Sequence, residues 1–427
     1  MNNLQTDNAP SSGVVIPPFM IGALSFFALS VLTILAETDL LGPYYNGRIL
    51  AITHLAVLGW GTMIIFGALY QLIPVVFETA LFSEKLAKTT TVIFSLSTAL
   101  LVYSFWTDNY DSLLILASSL MFCSFSMFIL NILLSKKNSK KNIQSRFIST
   151  SIYWLFLTVL FGLLISINFK YPFLAQVHLH YLKIHAHLGL VGWFILLIIG
   201  VSSTLIPMFL ISHNLNKKKL DISFFLVNIG LASLALDWLF LNSKYLPYLY
   251  WFIISSGIFF YFSYIMESYK KRLRKELDVG MKYTVAAISL LLTPITVGLI
   301  ILVDLNFEHD FLLRVTTLYG FTIIFGLISP LILGQTYKTL PFIIWLEKYK
   351  QYVGKYKTPM PKDLYSEKIG WLHLYTYFSS IITLVAGLLF NHYILINLGS
   401  YLFLITAVLY NINVFKIIFH KTKTEGL

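Results

Sequence analysis

Twelve long runs of apolar residues constrain this chain more than any other feature of its sequence. A helix needs about 20 apolar residues to cross the hydrocarbon core of a bilayer. The runs lie at about 18–41, 49–77, 89–106, 113–134, 147–167, 181–211, 222–241, 246–266, 281–303, 311–346, 369–390 and 393–419. They lack the strict alternation of membrane β-strands. The sequence therefore predicts an all-α, polytopic membrane protein of about twelve transmembrane helices.

The composition agrees with this fold class. Charged residues make up 12% of the 427 residues, about half the share in a soluble domain, which is about 25%. We expect residues 1–427 to form a single membrane domain. Residues 1–13 contain no Lys or Arg, so the first run does not have the form of a cleavable signal peptide. A lone cysteine, Cys123, rules out an internal disulfide and a cysteine-based metal site.

Basic residues are concentrated on one side of the predicted bundle. If the connections between twelve helices alternate sides, 25 of the 31 Lys and Arg residues fall on one side, here called the basic face. This bias marks the cytoplasmic side of a membrane protein. It predicts that both termini are cytoplasmic, in the inner membrane of a bacterium. The net charge of +12 is therefore assigned to membrane orientation, and no nucleic-acid partner is expected.

A spacing pattern recurs three times along the chain. Its positions are His54, Gly59, Gly67 and Pro74 in the second run, His187, Gly192, Gly200 and Pro207 in the sixth, and Phe321, Gly326, Gly334 and Pro341 in the tenth. The steps are five, eight and seven residues, and the period is 133 or 134 residues. Because each period holds four helices, the pattern predicts three pseudo-repeats, at about 18–135, 147–267 and 281–419.

The pattern also predicts a role for its glycines. At 100° per residue, Gly59 and Gly67 lie about 140° to either side of His54 on a helix. Small residues allow membrane helices to approach closely, so the glycines are expected to pack against neighbouring helices. The histidine then faces the opposite direction, into a space.

Seven of the ten histidines fall on the side opposite the basic face, here called the histidine face. These are His54, His178, His180, His185, His187, His309 and His392. A histidine within a membrane segment is costly and is a functional candidate by default. Neutral imidazole suits iron, copper and zinc. His54 and His187 occupy equivalent positions, so we expect them to face one another as the two axial ligands of a haem.

The remaining histidines receive separate predictions. His185 lies about 200° around the helix from His187, which predicts a different cavity for it and a second haem with an open position. His178 and His180 could form a copper or zinc site in the segment HLHYLKIHAH. Hydrogen-bonded packing histidines are the alternative for all five. His213, His373 and His420 are interpreted as ordinary residues at the opposite interface.

The segments HAHLGLVGW and HLAVLGWGTMIIFGALYQLIP resemble the histidine-bearing helices of haem–copper oxidase subunit I, especially C-type oxidases and nitric oxide reductases. The spacing is also similar to that of the NnrS family, haem- and copper-containing membrane proteins of the nitric oxide response. The resemblance implies twelve helices in a pseudo-threefold arrangement. It also implies that His54 is a low-spin haem ligand.

The sequence departs from that family at several positions. The expected partner of His54 on the tenth helix is replaced by Tyr319 and Phe321, and paired histidines occur on the sixth helix, as His185 and His187. Run 222–241 contains no histidine, so the copper triad of the oxidases is missing. Asp237 is the clearest intramembrane acid, and no proton-pumping channel is expected. The resemblance therefore supports haem binding more than oxygen reduction.

These observations predict a membrane protein with one or two b-type haems and a possible copper site. It would act in electron transfer, or in binding or conversion of a diatomic gas, with nitric oxide favoured over oxygen. If it is an enzyme, it is an oxidoreductase. The candidate partners are an electron donor, quinol or cytochrome c, or partner subunits. A membrane transporter is an alternative, although those folds repeat in halves. A copper- or haem-handling accessory protein is another.

The charge bias generates a test of topology. Cysteines introduced at Ser139 and Asn242 should react oppositely with a membrane-impermeant thiol reagent on intact cells, because the basic face is predicted to be cytoplasmic. Asn242 should be labelled and Ser139 protected. Equal labelling of the two positions would contradict the twelve-helix assignment.

Overall fold

The computed structural model describes residues 9–136, 142–303 and 307–422, so Ser139 lies outside the described residues. No strand occurs in the described part of the chain. It contains twelve helices long and apolar enough to cross a membrane. These are α1 Ser12–Leu35, α2 Gly47–Pro74, α3 Glu84–Trp106, α4 Ser112–Ser135, α5 Ile143–Lys170, α6 His178–Leu210, α7 Lys218–Leu241, α8 Leu246–Lys270, α9 Val279–Val303, α10 His309–Tyr352, α11 Glu367–Phe390 and α12 Tyr393–Ile418. The prediction of an all-α, multi-pass membrane protein is confirmed.

Several helices begin before the apolar runs that predicted them, because polar residues cap them at the basic face. The side chain of Ser83 accepts a hydrogen bond from the backbone of Leu86 at the start of α3. Asn142 accepts one from Ser145 before α5. Such caps satisfy backbone N–H groups that have no partner within the helix. The ends of these helices are therefore set by polar residues that a hydropathy pattern does not register.

The three helices that carry the recurring pattern share a local change of winding. α2 is π-helical over Leu55–Thr62, α6 over Leu188–Ile195, and α10 over Thr322–Ile328. Each π segment begins directly after a pattern position, namely His54, His187 or Phe321. Segments of this kind are rare and are frequent at functional sites. Their placement fits the predicted threefold repeat, which itself stays a prediction.

Two tryptophan hydrogen bonds join the same three helices. Trp60 Nε1 of α2 donates to Ser329 Oγ of α10 at 3.1 Å. Trp193 Nε1 of α6 lies 3.4 Å from Thr62 Oγ1 of α2. Trp60 and Trp193 are 133 residues apart, which is one period of the recurring pattern. The hydroxyl residues Thr62 and Ser329 are separated by two periods. We call these four residues the tryptophan girdle.

The glycines of the pattern pack helices together, as predicted. A methyl group added at Gly67 would meet the α1 residue Phe19 at 3.1 Å. At Gly200 the methyl group would lie 2.7 Å from Phe147 Cβ of α5. At Gly334 it would lie 2.7 Å from Tyr283 Cβ of α9. In each case the second helix of a group of four approaches the first helix of that group.

The prediction was wrong for Gly326. A methyl group there would meet only Thr322 of its own helix, at 3.9 Å. The equivalent glycines Gly59 and Gly192 contact α1 and α5 instead. The helix that would pack against Gly326 is α9, which is interrupted between Leu290 and Leu292 just before Pro294. Proline removes a backbone hydrogen bond and kinks a helix.

This difference provides a matched pair of variants. In Gly192→Ala the new methyl group would lie 2.6 Å from Trp154 Cβ, and Trp154 is held by a 2.8 Å hydrogen bond to Asn228. We expect Gly192→Ala to cost about 1–3 kcal/mol of stability through overpacking. The measurement is the thermal unfolding midpoint of the purified protein in detergent.

Gly326→Ala is the control at the equivalent position. Its methyl group enters open space, and alanine favours a helix over glycine by about 1 kcal/mol. We expect its unfolding midpoint to be unchanged or slightly raised. An equal drop in the unfolding midpoint of the two variants would show that the contact with Trp154 does not cause the loss of stability.

Candidate binding site

A cavity of about 650 Å³ occupies the half of the bundle nearer the histidine face. Four histidines line it: His54, His178, His185 and His187. The rest of its wall is mainly aliphatic and aromatic, and Thr62 and Trp193 of the girdle lie at its deep end. Its volume falls within the range of about 300–1,000 Å³ that is usual for small-molecule and cofactor sites.

Tyrosines line the cavity near the surface. Tyr44 and Tyr45 precede α2, and Tyr110 lies between α3 and α4. Burial, and to a smaller extent Tyr45, raises the pKa of Tyr44 above its ordinary value. Burial also raises the pKa of Tyr110, whose hydroxyl donates a 2.6 Å hydrogen bond to Asp108. Both phenols therefore stay neutral at ordinary pH and provide uncharged hydrogen-bonding groups at this end of the cavity.

His54 and His185 approach each other across the cavity. Their ring centres are 6.4 Å apart and the ring planes are inclined by 22°. His54 Nδ1 lies 2.7 Å from the carbonyl oxygen of Leu50, and His185 Nδ1 lies 2.8 Å from that of Thr158. A carbonyl oxygen only accepts, so each Nδ1–H is the donor. In a neutral imidazole, Nε2 then keeps its lone pair for another partner.

Close packing holds both rings in place. The His54 ring stacks on Phe105 of α3, with centres 4.8 Å apart. His185 lies against Gly162 of α5, where an added methyl group would be only 3.0 Å from its Cε1 atom. Gly162 therefore leaves room for the imidazole. Sequence reasoning missed this glycine because the contact joins two helices and falls outside the recurring pattern.

His187 lies on another side of α6. Its Nδ1 donates to the carbonyl oxygen of Lys183 at 2.7 Å, and its Nε2 lies 3.4 Å from the hydroxyl of Tyr319. Its ring also contacts Trp238 edge-on at 5.0 Å. The sequence predicted separate cavities for His185 and His187, but both line the same one, because the cavity extends around α6. Among the described residues, the ring contacts of His54 pair it with His185 and not with His187.

The two histidines at the start of α6 diverge. His178 Nε2 accepts from the amide of Asn168 at 3.0 Å, and its ring stacks on Phe169. His180 Nε2 donates to the carbonyl oxygen of Trp238 at 2.6 Å. Across 9–136, 142–303 and 307–422, no group of three or more His, Cys, Asp or Glu side chains is arranged to hold a metal ion. A copper or zinc site at His178 and His180 stays a prediction.

The interpretation of His373 as an interfacial residue was wrong. Its side chain is completely buried, and its Nδ1 lies 2.9 Å from the hydroxyl of Tyr283. Its ring stacks on Tyr410 at 5.6 Å, and its Nε2 has no hydrogen-bond partner within the described chain. His373 lies close to the start of an apolar run, and this position predicted its depth in the membrane. The position did not predict that the side chain faces the core of the helix bundle.

Comparisons with family models and with curated proteins found no match for this chain. The resemblance to oxidase subunit I and to the NnrS family therefore stays a prediction. Function has to be inferred from the chemistry of the cavity, since a fold alone does not determine it.

Proposed function

We propose that this chain is a haem-binding integral membrane protein in which His54 and His185 bind one b-type haem. The observation that carries the proposal is the spacing of two oriented imidazoles. Neutral imidazole is a common ligand of haem iron, and His54 and His185 would hold the group between them. The ring centres of His54 and His185 are 6.4 Å apart.

The surroundings of the two rings fit the same group. Histidines that bind a metal usually donate their other ring N–H to a carbonyl or carboxylate, which fixes the tautomer and the ring orientation. Both His54 and His185 do so. The apolar wall of the cavity suits the face of a porphyrin, and its 650 Å³ is in the range of cofactor sites.

The ligand pair determines which activity is favoured. Held by both His54 and His185, haem would supply one-electron transfer, because the two imidazoles would leave its iron no free site for a gas. We therefore favour membrane electron transfer. The residues of the chain would hold the group in a dry site and keep both Nε2 atoms directed at it. Placement in a bacterial inner membrane, with both termini in the cytoplasm, is part of this proposal and is supported by the charge bias.

Binding or conversion of a diatomic gas, with nitric oxide favoured, is the second candidate. His187 supports it, because this third imidazole faces the same cavity and has only a long contact, 3.4 Å, between its Nε2 and Tyr319. A haem held by His187 alone would leave its iron one free site for a gas. Carbon monoxide would then alter the spectrum of the reduced protein.

Three histidine variants separate these possibilities. We expect His54→Ala and His185→Ala each to abolish the sharp low-spin bands of the reduced protein, because each removes one axial ligand. His187→Ala should keep those bands. The measurement is the reduced-minus-oxidised absorption spectrum, with haem content per protein determined in parallel. Imidazole added to the first two variants should restore the bands if the variants are folded.

His180→Ala is the control, because its ring bonds to Trp238 and does not line the cavity. It should keep the full spectrum. Loss of the bands in His187→Ala, together with their retention in His185→Ala, would instead support the pair predicted from the repeat. Unchanged haem content and spectra in both His54→Ala and His185→Ala would contradict the proposal.

A further inference from the structure

One charged side chain lines the cavity in the described part of the chain, and it is Lys183. Lys183 lies on α6 two residues before His185 and four before His187. It is therefore about 6 Å nearer the histidine face than His187, at a rise of about 1.5 Å per residue. Lys183 therefore lies on the surface side of His185 and His187.

The ammonium group of Lys183 has no anionic partner within 9–136, 142–303 and 307–422. Its Nζ lies 4.8 Å from the centre of the Trp238 ring, in a cation–π contact. The nearby acid, Asp237, is close enough to interact electrostatically but forms no ion pair with it. Asp237 does not line the cavity. Its Oδ1 is 3.4 Å from the backbone nitrogen of Ser243, and its Oδ2 has no partner.

Lys183 is partly buried, and partial burial beside an apolar cavity removes some of the water that would solvate its charge. An anionic group on the ligand of the cavity would offset this cost through a charge-assisted hydrogen bond. Lysine suits a carboxylate in a variable position, since its ammonium offers three donors on a flexible stem. The cavity thus combines an apolar body with one cationic point near its surface end.

We propose that Lys183 forms a carboxylate subsite, so that the cavity selects an apolar ligand with an acidic group directed toward the histidine face. For haem the acidic groups are its two propionates, and in that form the inference rests on the proposed function. A free fatty acid offers the same chemistry, a carboxylate on an apolar body. In both cases the carboxylate lies near the aqueous surface while the apolar part occupies the deeper cavity.

The test compares a carboxylic acid with its methyl ester, which cannot ionise. The full chain, purified in a neutral detergent without haem, is titrated with iron protoporphyrin IX or with its dimethyl ester, and the dissociation constants are measured by absorbance. We expect the wild-type protein to bind the diacid at least about tenfold more tightly. Lys183→Met should remove this preference by weakening the diacid and leaving the diester unchanged. Lys183→Arg should retain it.

Lys244→Met is the control, because Lys244 is on the histidine face but does not line the cavity. It should keep the wild-type preference. The unfolding midpoint of each variant reports whether the fold is intact. Equal binding of diacid and diester by the wild-type protein, or a preference that persists in Lys183→Met, would overturn the assignment to haem propionates.

A second titration uses oleate and methyl oleate and tests whether the carboxylate belongs to a fatty acid. If neither form of haem binds, the proposed haem function fails. Tighter binding of oleate than of its methyl ester, lost in Lys183→Met, would then still support the carboxylate subsite, with a lipid as its ligand. If the protein also fails to distinguish oleate from methyl oleate, the subsite is refuted.

Discussion

The structure depends first on the need to satisfy backbone polar groups inside a membrane, where water cannot do so. Long helices meet this need for most of the chain. The π segments of α2, α6 and α10 disturb the regular bonding, and side chains provide compensation. Thr62 donates to the carbonyl oxygen of Val57 within α2, and Tyr377 of α11 donates to that of Phe325 in α10. Side chains thus supply hydrogen bonds at two of these irregular segments, those of α2 and α10.

Backbone carbonyls also orient the imidazoles of the cavity. His54 and His187 each donate to the carbonyl four residues earlier, in Leu50 and Lys183, so equivalent sequence positions have equivalent local geometry. His185 instead uses the carbonyl of Thr158 on α5. That bond turns its ring toward α5 and brings it close to His54. The sequence could therefore identify three candidate imidazoles, but not which two lie closest together.

In the rest of the fold, too, the sequence predicted the features that depend on nearby residues. It did not predict the features that depend on contacts between distant helices. Hydropathy runs predicted all twelve helices, because spanning length is a local property of the sequence. Glycine spacing correctly predicted close packing at Gly67 and Gly200, but failed at Gly326, where the outcome depends on the interruption of α9 near Leu291. Likewise, the burial of His373 depends on Tyr283 and Tyr410, which come from other helices.

The tryptophan girdle closes the cavity at its deep end. Trp60 and Trp193 are almost completely buried, and their hydrogen bonds to Ser329 and Thr62 join α2, α6 and α10 at the deep end of the cavity. Trp60 of the girdle also packs edge-on against Tyr410, and Tyr410 stacks on His373. A ligand would therefore have to separate hydrogen-bonded and stacked rings to enter from the basic face. The neutral tyrosines and Lys183 line the cavity near the histidine face, so ligand exchange through that face and recognition of an acidic group would belong to the same end of the molecule.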